Sequence, residues 1–247
     1  MGIKSGPQYS AERFEKRDSF FYDQGMTLSS TISELQSQCA PAKLVVVTKT
    51  QPAKVIREVI AAGATDIAES RLQEISEKYD LKLFRLMQQH QVRLHFIGRL
   101  QTKKLSKVVR LCDVIQSVDS WDKAQRIDQH AANLNKTMPI FLQLNLTEEP
   151  QKGGLHPDEL SELVPQIQAL PNTELLGFMT IGKLDDAETT RQAFRQCKAL
   201  ADQYQLPEVS MGMSGDYEIA LEEGATMLRM GTRLFENLST DQNSGSV

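Results

Sequence analysis

One lysine stands out by its position in the sequence. Lys49 ends the run KLVVVTK (Lys43–Lys49), in which four consecutive residues, LVVV, are apolar and mostly β-branched. Such a run predicts a strand buried on both faces. A lysine at the end of a buried strand either extends into solvent or does chemistry. A partly desolvated lysine amine is a nucleophile that attacks aldehydes to form a Schiff base, and on this residue alone both interpretations stay open.

Two segments near the C-terminus carry small residues of the kind that hold an anion. Ser214 lies in GMSG, before a short predicted helix, and Gly231 and Thr232 follow the last apolar run. Small residues let backbone N–H groups approach an anion closely, and helix N-termini favour negative charge. Together the two segments predict a phosphate cup with hydroxyl donors from Ser214 and Thr232. The alternative is that Ser214 only caps a helix and Gly231 only forms a turn.

Two further polar residues lie inside predicted strands. Arg229 occurs in LRMG and His95 in LHFIG. A guanidinium that points into a protein interior needs an acceptor, for which a cofactor's ring nitrogen or a structural carboxylate would serve. His95 is either a hydrogen-bonded core histidine or a pocket residue.

The elements that must position these side chains form a regular alternation. Eight apolar runs predict strands, at 43–49, 65–68, 93–98, 112–118, 139–145, 174–181, 208–211 and 226–230. Segments with helical spacing of apolar residues separate them. This alternation predicts a single α/β domain built as a (β/α)₈ TIM barrel, with an open doubly wound sheet as the alternative. In such a barrel, functional groups gather at the C-terminal ends of the strands, and phosphate is commonly held after strands 7 and 8.

The helix boundaries follow from capping residues. Pro52 is placed in the first turn of one helix, Ser120 is the expected N-cap of another, and Asp185 and Asp186 open a third. Leu28, Ile32 and Leu35 predict an additional N-terminal helix against the barrel. We therefore expect a helical or flexible arm at 1–25, the barrel at 26–236 and a disordered tail at 237–247.

Bulk composition limits the class of protein. The chain has 247 residues, of which 40% are hydrophobic and 24% charged, and a net charge of −4. This charge provides no broad basic field for nucleic acid or anionic lipid. Since there is neither a long apolar run nor a secretory signal, we expect a cytoplasmic protein. The three widely spaced cysteines predict reduced thiols and no metal site.

Four segments together resemble a known family. They are LVVVTKTQPAKVIREVIAAGATDIAESRLQE, LHFIGRLQTKK, LLGFMTI and VSMGMSGDYEIALEEGATMLRMGT, in that order, spanning about Lys43 to Phe235. The sequence resembles the pyridoxal phosphate homeostasis protein family, whose fold is like the N-terminal barrel domain of bacterial alanine racemase.

The resemblance implies pyridoxal 5′-phosphate (PLP) as cofactor and a role for each motif residue. Lys49 would carry the covalent Schiff base, and Arg229 would face the pyridine nitrogen. The residues implied to bind the phosphate are Ser214, Gly231 and Thr232, and those implied to line the pocket are His95, Met179, Ser210 and Met211. The family usually reads FGEN where this chain has Ile67-Ala68-Glu69-Ser70, so a polar contact from Ser70 is expected only as a shorter substitute for the asparagine.

The resemblance implies a non-catalytic protein that holds and delivers PLP and so affects amino-acid and keto-acid balance. The alternative is a racemase-like isomerase of low activity, which needs a base on each face of the cofactor. In the racemases that second base comes from a further C-terminal domain, which is not expected here. A barrel that has lost the cofactor is a third possibility, disfavoured by the intact Lys49 and Arg229. The expected partners are PLP and PLP-requiring apo-enzymes, with no nucleic acid or membrane, and the expected state is a monomer.

Overall fold

The protein is a closed barrel of parallel strands surrounded by helices. A computed structural model describes residues 27–147, 149 and 151–235. Its eight strands are β1 (Lys43–Val47), β2 (Asp66–Glu69), β3 (Arg93–Phe96), β4 (Val114–Val118), β5 (Met138–Gln143), β6 (Thr173–Met179), β7 (Glu208–Ser210) and β8 (Met227–Met230). Each strand pairs with the next in the chain, and β8 pairs with β1. The eight predicted strands and the (β/α)₈ prediction are confirmed, and the open sheet is wrong.

Helices connect the strands on the outside. They are α1 (Leu28–Cys39), α2 (Ala53–Ala61), α3 (Leu72–Lys78), α4 (Leu81–Gln89), α5 (Leu105–Leu111), α6 (Trp121–Ala132), α7 (Leu160–Gln168), α8 (Ala187–Gln203), α9 (Tyr217–Glu222) and α10 (Thr232–Phe235). Short 3₁₀ turns at Thr102–Lys104 and Pro157–Glu159 precede α5 and α7. Helix α1 confirms the additional N-terminal helix.

The helices begin where capping chemistry places them. Ser120 accepts the Lys123 N–H at the start of α6, and Asp186 accepts the Thr189 N–H at the start of α8. Pro52 is the N-cap of α2, one position before the first turn. The Ser120 and Asp186 side chains each satisfy a backbone donor that the helix itself leaves without a partner, whereas Pro52 makes no side-chain capping bond.

Apolar side chains form two layers because successive strand residues face opposite sides of the barrel wall. The larger layer lies between strands and helices. The smaller one comprises seven buried residues, which alternate with those of the larger layer along the strands and so mark the barrel interior: Val45, Val47, Ala68, Val114, Phe141, Met179 and Met227. The interior also holds polar side chains, among them His95, Gln116 and Arg229.

The predicted arm at 1–25 and the tail at 237–247 lie outside the described residues. Within the part that the structure describes, no helix has the length and apolarity needed to cross a bilayer. The same residues contain no group of three or more histidine, cysteine or acidic side chains arranged to hold a metal. Cys39, Cys112 and Cys197 are free thiols, and all three are buried.

Candidate cofactor site at the barrel mouth

Lys49 lies just beyond the C-terminal end of β1, between two anchored threonines. Thr48 is fully buried, and its hydroxyl donates to Glu69 Oε1 across 2.9 Å. Thr50 has a left-handed backbone with φ of 67°, and its N–H donates to Glu74 Oε2 across 2.7 Å. A β-branched residue rarely adopts this conformation without outside support. The two carboxylates therefore fix the backbone on both sides of Lys49, whose own side chain is exposed.

A lysine links these carboxylates. Lys78 Nζ contacts Glu69 Oε1 at 3.4 Å and also forms a close ion pair with Glu74, one helical turn before it on α3. Burial raises the pKa of Glu69, while the Lys78 charge and the Thr48 hydrogen bond oppose that rise. Glu69, Glu74 and Lys78, which we call the lysine-loop clamp, were not predicted from the sequence as functional residues. The Glu74–Lys78 spacing of four on a helix was the available signal.

Lys49 shares a cavity with the residues at the end of β8. This cavity has a volume of about 270 Å³ and is lined by Val47, Lys49, Thr50, Gln51, Gly231, Thr232 and Phe235. A Cβ on Gly231 would lie 2.8 Å from the Val47 carbonyl oxygen, so only glycine lets the two strand ends approach this closely. The structure thus brings together three of the predicted site residues, Lys49, Gly231 and Thr232.

Ser214 lies beside the same strand end. Its Oγ accepts the Arg233 N–H at 3.3 Å, across a separation of 19 residues. This bond attaches the loop after β7 to the first turn of α10, next to Thr232. The predicted cup residues are therefore adjacent in space, although Ser214 caps a helix other than the one that directly follows it in the sequence.

Arg229 is buried in the barrel interior below this mouth. Its partner on β1 is Val45, four residues before Lys49 in the sequence. The guanidinium is 4% exposed and donates to Ser210 Oγ at 2.7 Å and to the Thr180 carbonyl at 2.9 Å. No carboxylate of the described residues forms an ion pair with it, so a structural carboxylate is not its acceptor. Burial lowers the pKa of Arg229 to about 10, although the Asp216 charge opposes this effect, and the side chain is still charged at neutral pH.

Ser210 connects Arg229 to His95 through a residue that the sequence did not single out. Ser210 Oγ donates to Gln116 Oε1 at 2.7 Å, and Gln116 Nε2 lies 2.8 Å from His95 Nδ1. His95 Nε2 in turn lies 2.8 Å from Asp66 Oδ1. His95 is fully buried at this inner level, so the structure joins it to Arg229 by hydrogen bonds and does not bring it to the cavity lining.

The remaining predicted residues occupy different layers. Met179 belongs to the interior cluster, whereas Met211 packs in the outer layer between strands and helices. Ser70 is half-buried directly after β2, and Gly98 approaches it so closely that a Cβ there would lie 1.8 Å from the Ser70 carbonyl oxygen. Contacts from these residues to a cofactor stay predictions.

The fold and this mouth define a class of protein. The family described as "Alanine racemase, N-terminal domain" matches residues 26–237. A solved alanine racemase from Corynebacterium glutamicum superposes with a TM-score of 0.64 over 84% of this chain and 59% of its own, at 17% identity, a likeness of fold alone.

Relatives with higher sequence identity assign the chain to one family within this class. The pyridoxal phosphate homeostasis protein of Aquifex aeolicus is 37% identical over 84% of this chain and 95% of its own, and that of Synechocystis sp. is 40% identical over 83% and 96%. PipY of Synechococcus elongatus, solved with PLP bound, is 36% identical and has a TM-score of 0.77 over 85% of this chain and all of its own. The chain belongs to the pyridoxal phosphate homeostasis protein family, which confirms the resemblance.

Proposed function

We propose that this protein binds pyridoxal 5′-phosphate at the barrel mouth, covalently through Lys49, and acts in PLP homeostasis by holding and delivering it. The observation that carries the proposal is the shared cavity of Lys49, Gly231 and Thr232 above a buried arginine. A primary amine, a set of anion donors and a guanidinium match the three functional parts of PLP: its aldehyde, its phosphate and its pyridine nitrogen. PipY, a relative covering most of this chain, was solved with PLP.

The phosphate end of the cofactor would lie at Gly231, Thr232 and Ser214. Gly231 leaves its backbone uncovered by a side chain, and the Thr232 and Ser214 hydroxyls can donate hydrogen bonds. This arrangement binds and orients the phosphate and so fixes the distance of the aldehyde from Lys49.

Arg229 would serve the opposite end of the cofactor. A guanidinium carries five N–H donors and no acceptor. Arg229 donates hydrogen bonds to Ser210 Oγ and to the Thr180 carbonyl. Bound PLP supplies a reactive aldehyde and a ring that can act as an electron sink. A permanently charged donor at the ring nitrogen cannot give that nitrogen a proton, and this weakens the sink.

The lining of the cavity favours holding over turnover. A racemase needs a proton-transferring base on each face of the cofactor. Among the described residues that line the cavity, Lys49 has the only amine or acidic side chain; the others are valine, threonine, glutamine, glycine and phenylalanine. This composition supports a protein that retains the cofactor, with a low-activity isomerase as the second candidate.

A spectroscopic titration tests the proposal. Adding PLP to the full chain should produce a visible absorption band, which Lys49→Ala should lose while Lys54→Ala, an exposed lysine on α2, retains it. A wild-type protein that takes up no PLP would refute the proposal. Amino-acid turnover well above that of free PLP would instead favour the isomerase.

We expect PLP-requiring apo-enzymes to receive the cofactor, the protein to be cytoplasmic, and its solution state to be a monomer. Transfer is tested by mixing the PLP-loaded protein with an apo-enzyme in the presence of a free-PLP trap, and the monomer by light scattering.

A further inference from the structure

A continuous row of polar side chains crosses the barrel interior from Arg229 to Asp66. Its links are Arg229 to Ser210 (2.7 Å), Ser210 to Gln116 (2.7 Å), Gln116 to His95 (2.8 Å) and His95 to Asp66 (2.8 Å). We call these five residues the interior chain. Every member is between 0 and 4% exposed, so each link lies out of reach of bulk water, where an unsatisfied polar group is costly.

The donor and acceptor capacities of these side chains fix which atom donates and which accepts in each hydrogen bond of the interior chain. A guanidinium only donates, so Ser210 Oγ accepts from Arg229. The single Ser210 proton then points to Gln116 Oε1, which only accepts. The amide nitrogen of Gln116 donates to His95 Nδ1, and its second N–H has the Met227 sulfur as an acceptor at 3.1 Å. His95 Nδ1 must therefore be unprotonated, and its ring proton is on Nε2, which donates to Asp66.

Asp66, at the end of the interior chain opposite Arg229, is held by a charged donor and a hydroxyl donor. Arg93 donates to Asp66 Oδ1 through Nε at 2.9 Å, and Thr65 donates to Oδ2 at 2.8 Å. Burial opposes ionisation of Asp66, but the hydrogen bond from His95 and the Arg93 charge outweigh it and lower the pKa of Asp66 to about 2. The pKa of His95 is lowered by burial and by Arg93, against the opposing effects of Asp66 and Asp113. An anionic Asp66 beside a neutral His95 is thus the state at neutral pH.

We propose that Gln116 and His95 are positioning residues for Arg229. Because they commit the Ser210 proton to Gln116, they leave a Ser210 lone pair for Arg229 and so fix the orientation of the guanidinium at the cofactor's ring. This direction requires the His95 tautomer with its proton on Nε2, which the hydrogen bond to Asp66 supports. The orientation of Arg229 toward the cofactor rests on the proposed function. The position of the ring proton on His95 does not.

Nitrogen-15 NMR of the full chain, labelled at histidine and free of PLP, tests the direction. The His95 signals, identified by their loss in His95→Gln, should show a proton on Nε2 and none on Nδ1 from pH 7 to pH 8. A proton on Nδ1, or an ordinary titration in this range, overturns the inference.

Gln116→Glu tests the coupling, since it exchanges the amide donor for an acceptor of the same shape. A carboxylate at 116 accepts from Ser210 as before but can no longer donate to Nδ1, so His95 should carry two ring protons at pH 7. The carboxylate also adds a negative charge that competes with the cofactor's ring for the Arg229 guanidinium, so in the PLP-loaded protein the visible band should shift and PLP affinity should fall by about tenfold or more. Gln125→Glu, the same change at an exposed position of α6, should alter neither the His95 signals nor the visible band and affinity of bound PLP.

A second variant keeps the test decisive if Gln116→Glu folds poorly. Ser210→Ala removes the link between Gln116 and Arg229, and it should shift the visible band while His95 keeps its Nε2 proton. Unchanged bands in both variants would overturn the positioning role. Absence of PLP uptake by the wild type would refute the proposed function and leave the NMR result standing.

Discussion

Glu74 and Thr50 are joined by a hydrogen bond of 2.7 Å from the Thr50 N–H to the Glu74 carboxylate. Through this bond, helix α3 supports the left-handed backbone directly after Lys49. The candidate cofactor lysine is therefore positioned by a residue 25 places later in the sequence, on an element outside the barrel wall.

The first prediction concerns this bond. Glu74→Ala removes the acceptor of the Thr50 N–H and the closest ion-pair partner of Lys78, so the free energy of unfolding should fall by about 1–3 kcal/mol, and PLP uptake should weaken. Urea denaturation and PLP titration measure the two effects. Glu77→Ala, at an exposed position of the same helix, should change stability by no more than about 0.5 kcal/mol. Equal effects from the two variants would contradict the clamp.

A second prediction follows from the burial of Arg229 without an ion-pair partner among the described residues. Replacing a buried charge by an apolar side chain of similar size is often neutral or stabilising. Arg229→Met removes this charge but leaves the Thr180 carbonyl without its donor, so the unfolding free energy of the PLP-free protein should change by no more than about 2 kcal/mol in either direction, while PLP affinity falls. Arg195→Met, which removes an exposed arginine paired with Glu223, should leave affinity unchanged. A large loss of stability in Arg229→Met would make the arginine a structural residue.

Acid stability should depend on Asp66. Folding lowers the pKa of its carboxyl from 3.8 to about 2, so the stabilisation is complete above about pH 4 and is lost as the pH falls toward 2. The difference corresponds to about 2 kcal/mol. Unfolding free energies measured between pH 5 and pH 2.5 should fall more steeply for the wild type than for Asp66→Asn. Parallel curves would show that this carboxylate is not linked to folding.

The thiols should be inert in the folded protein. Burial raises the pKa of Cys39 to about 11, against a small opposing effect of Arg233, and burial likewise raises that of Cys197 to about 12. Because the thiolate is the reactive form, a thiol reagent at pH 8 should label none of Cys39, Cys112 and Cys197 until denaturant is added. Rapid labelling of the native protein would contradict their placement.

The sequence predicted the architecture because the barrel follows from local patterns. Buried strands read as apolar runs, and caps such as Ser120 and Asp186 are local signals. It also predicted that Lys49, Gly231 and Thr232 meet, since β1 and β8 become neighbours once the barrel closes. Gln116 escaped notice because a polar residue inside an apolar run has no periodicity of its own. Its partner Ser210 is 94 positions away, a contact that only the closed barrel creates.

The helical partners of Lys49 were missed for a related reason. Glu74 and Lys78 read as an ordinary solvent-exposed pair four residues apart, which stabilises a helix slightly. Only the packing of α3 beside the end of β1 turns that pair toward Thr50. The hydrogen-bond acceptor of the Arg229 guanidinium was predicted to be a ring nitrogen or a carboxylate. The structure adds neutral oxygens from Ser210 and Thr180, which a sequence pattern does not reveal.

The central claim is that Lys49 is the residue that binds PLP covalently. Incubating the full chain with PLP, reducing it with borohydride and mapping the peptides by mass spectrometry tests this most directly. We expect a single predominant pyridoxyl adduct on Lys49, absent in Lys49→Ala. An adduct spread over the surface lysines, or located at another lysine while Lys49 stays unmodified, would contradict it.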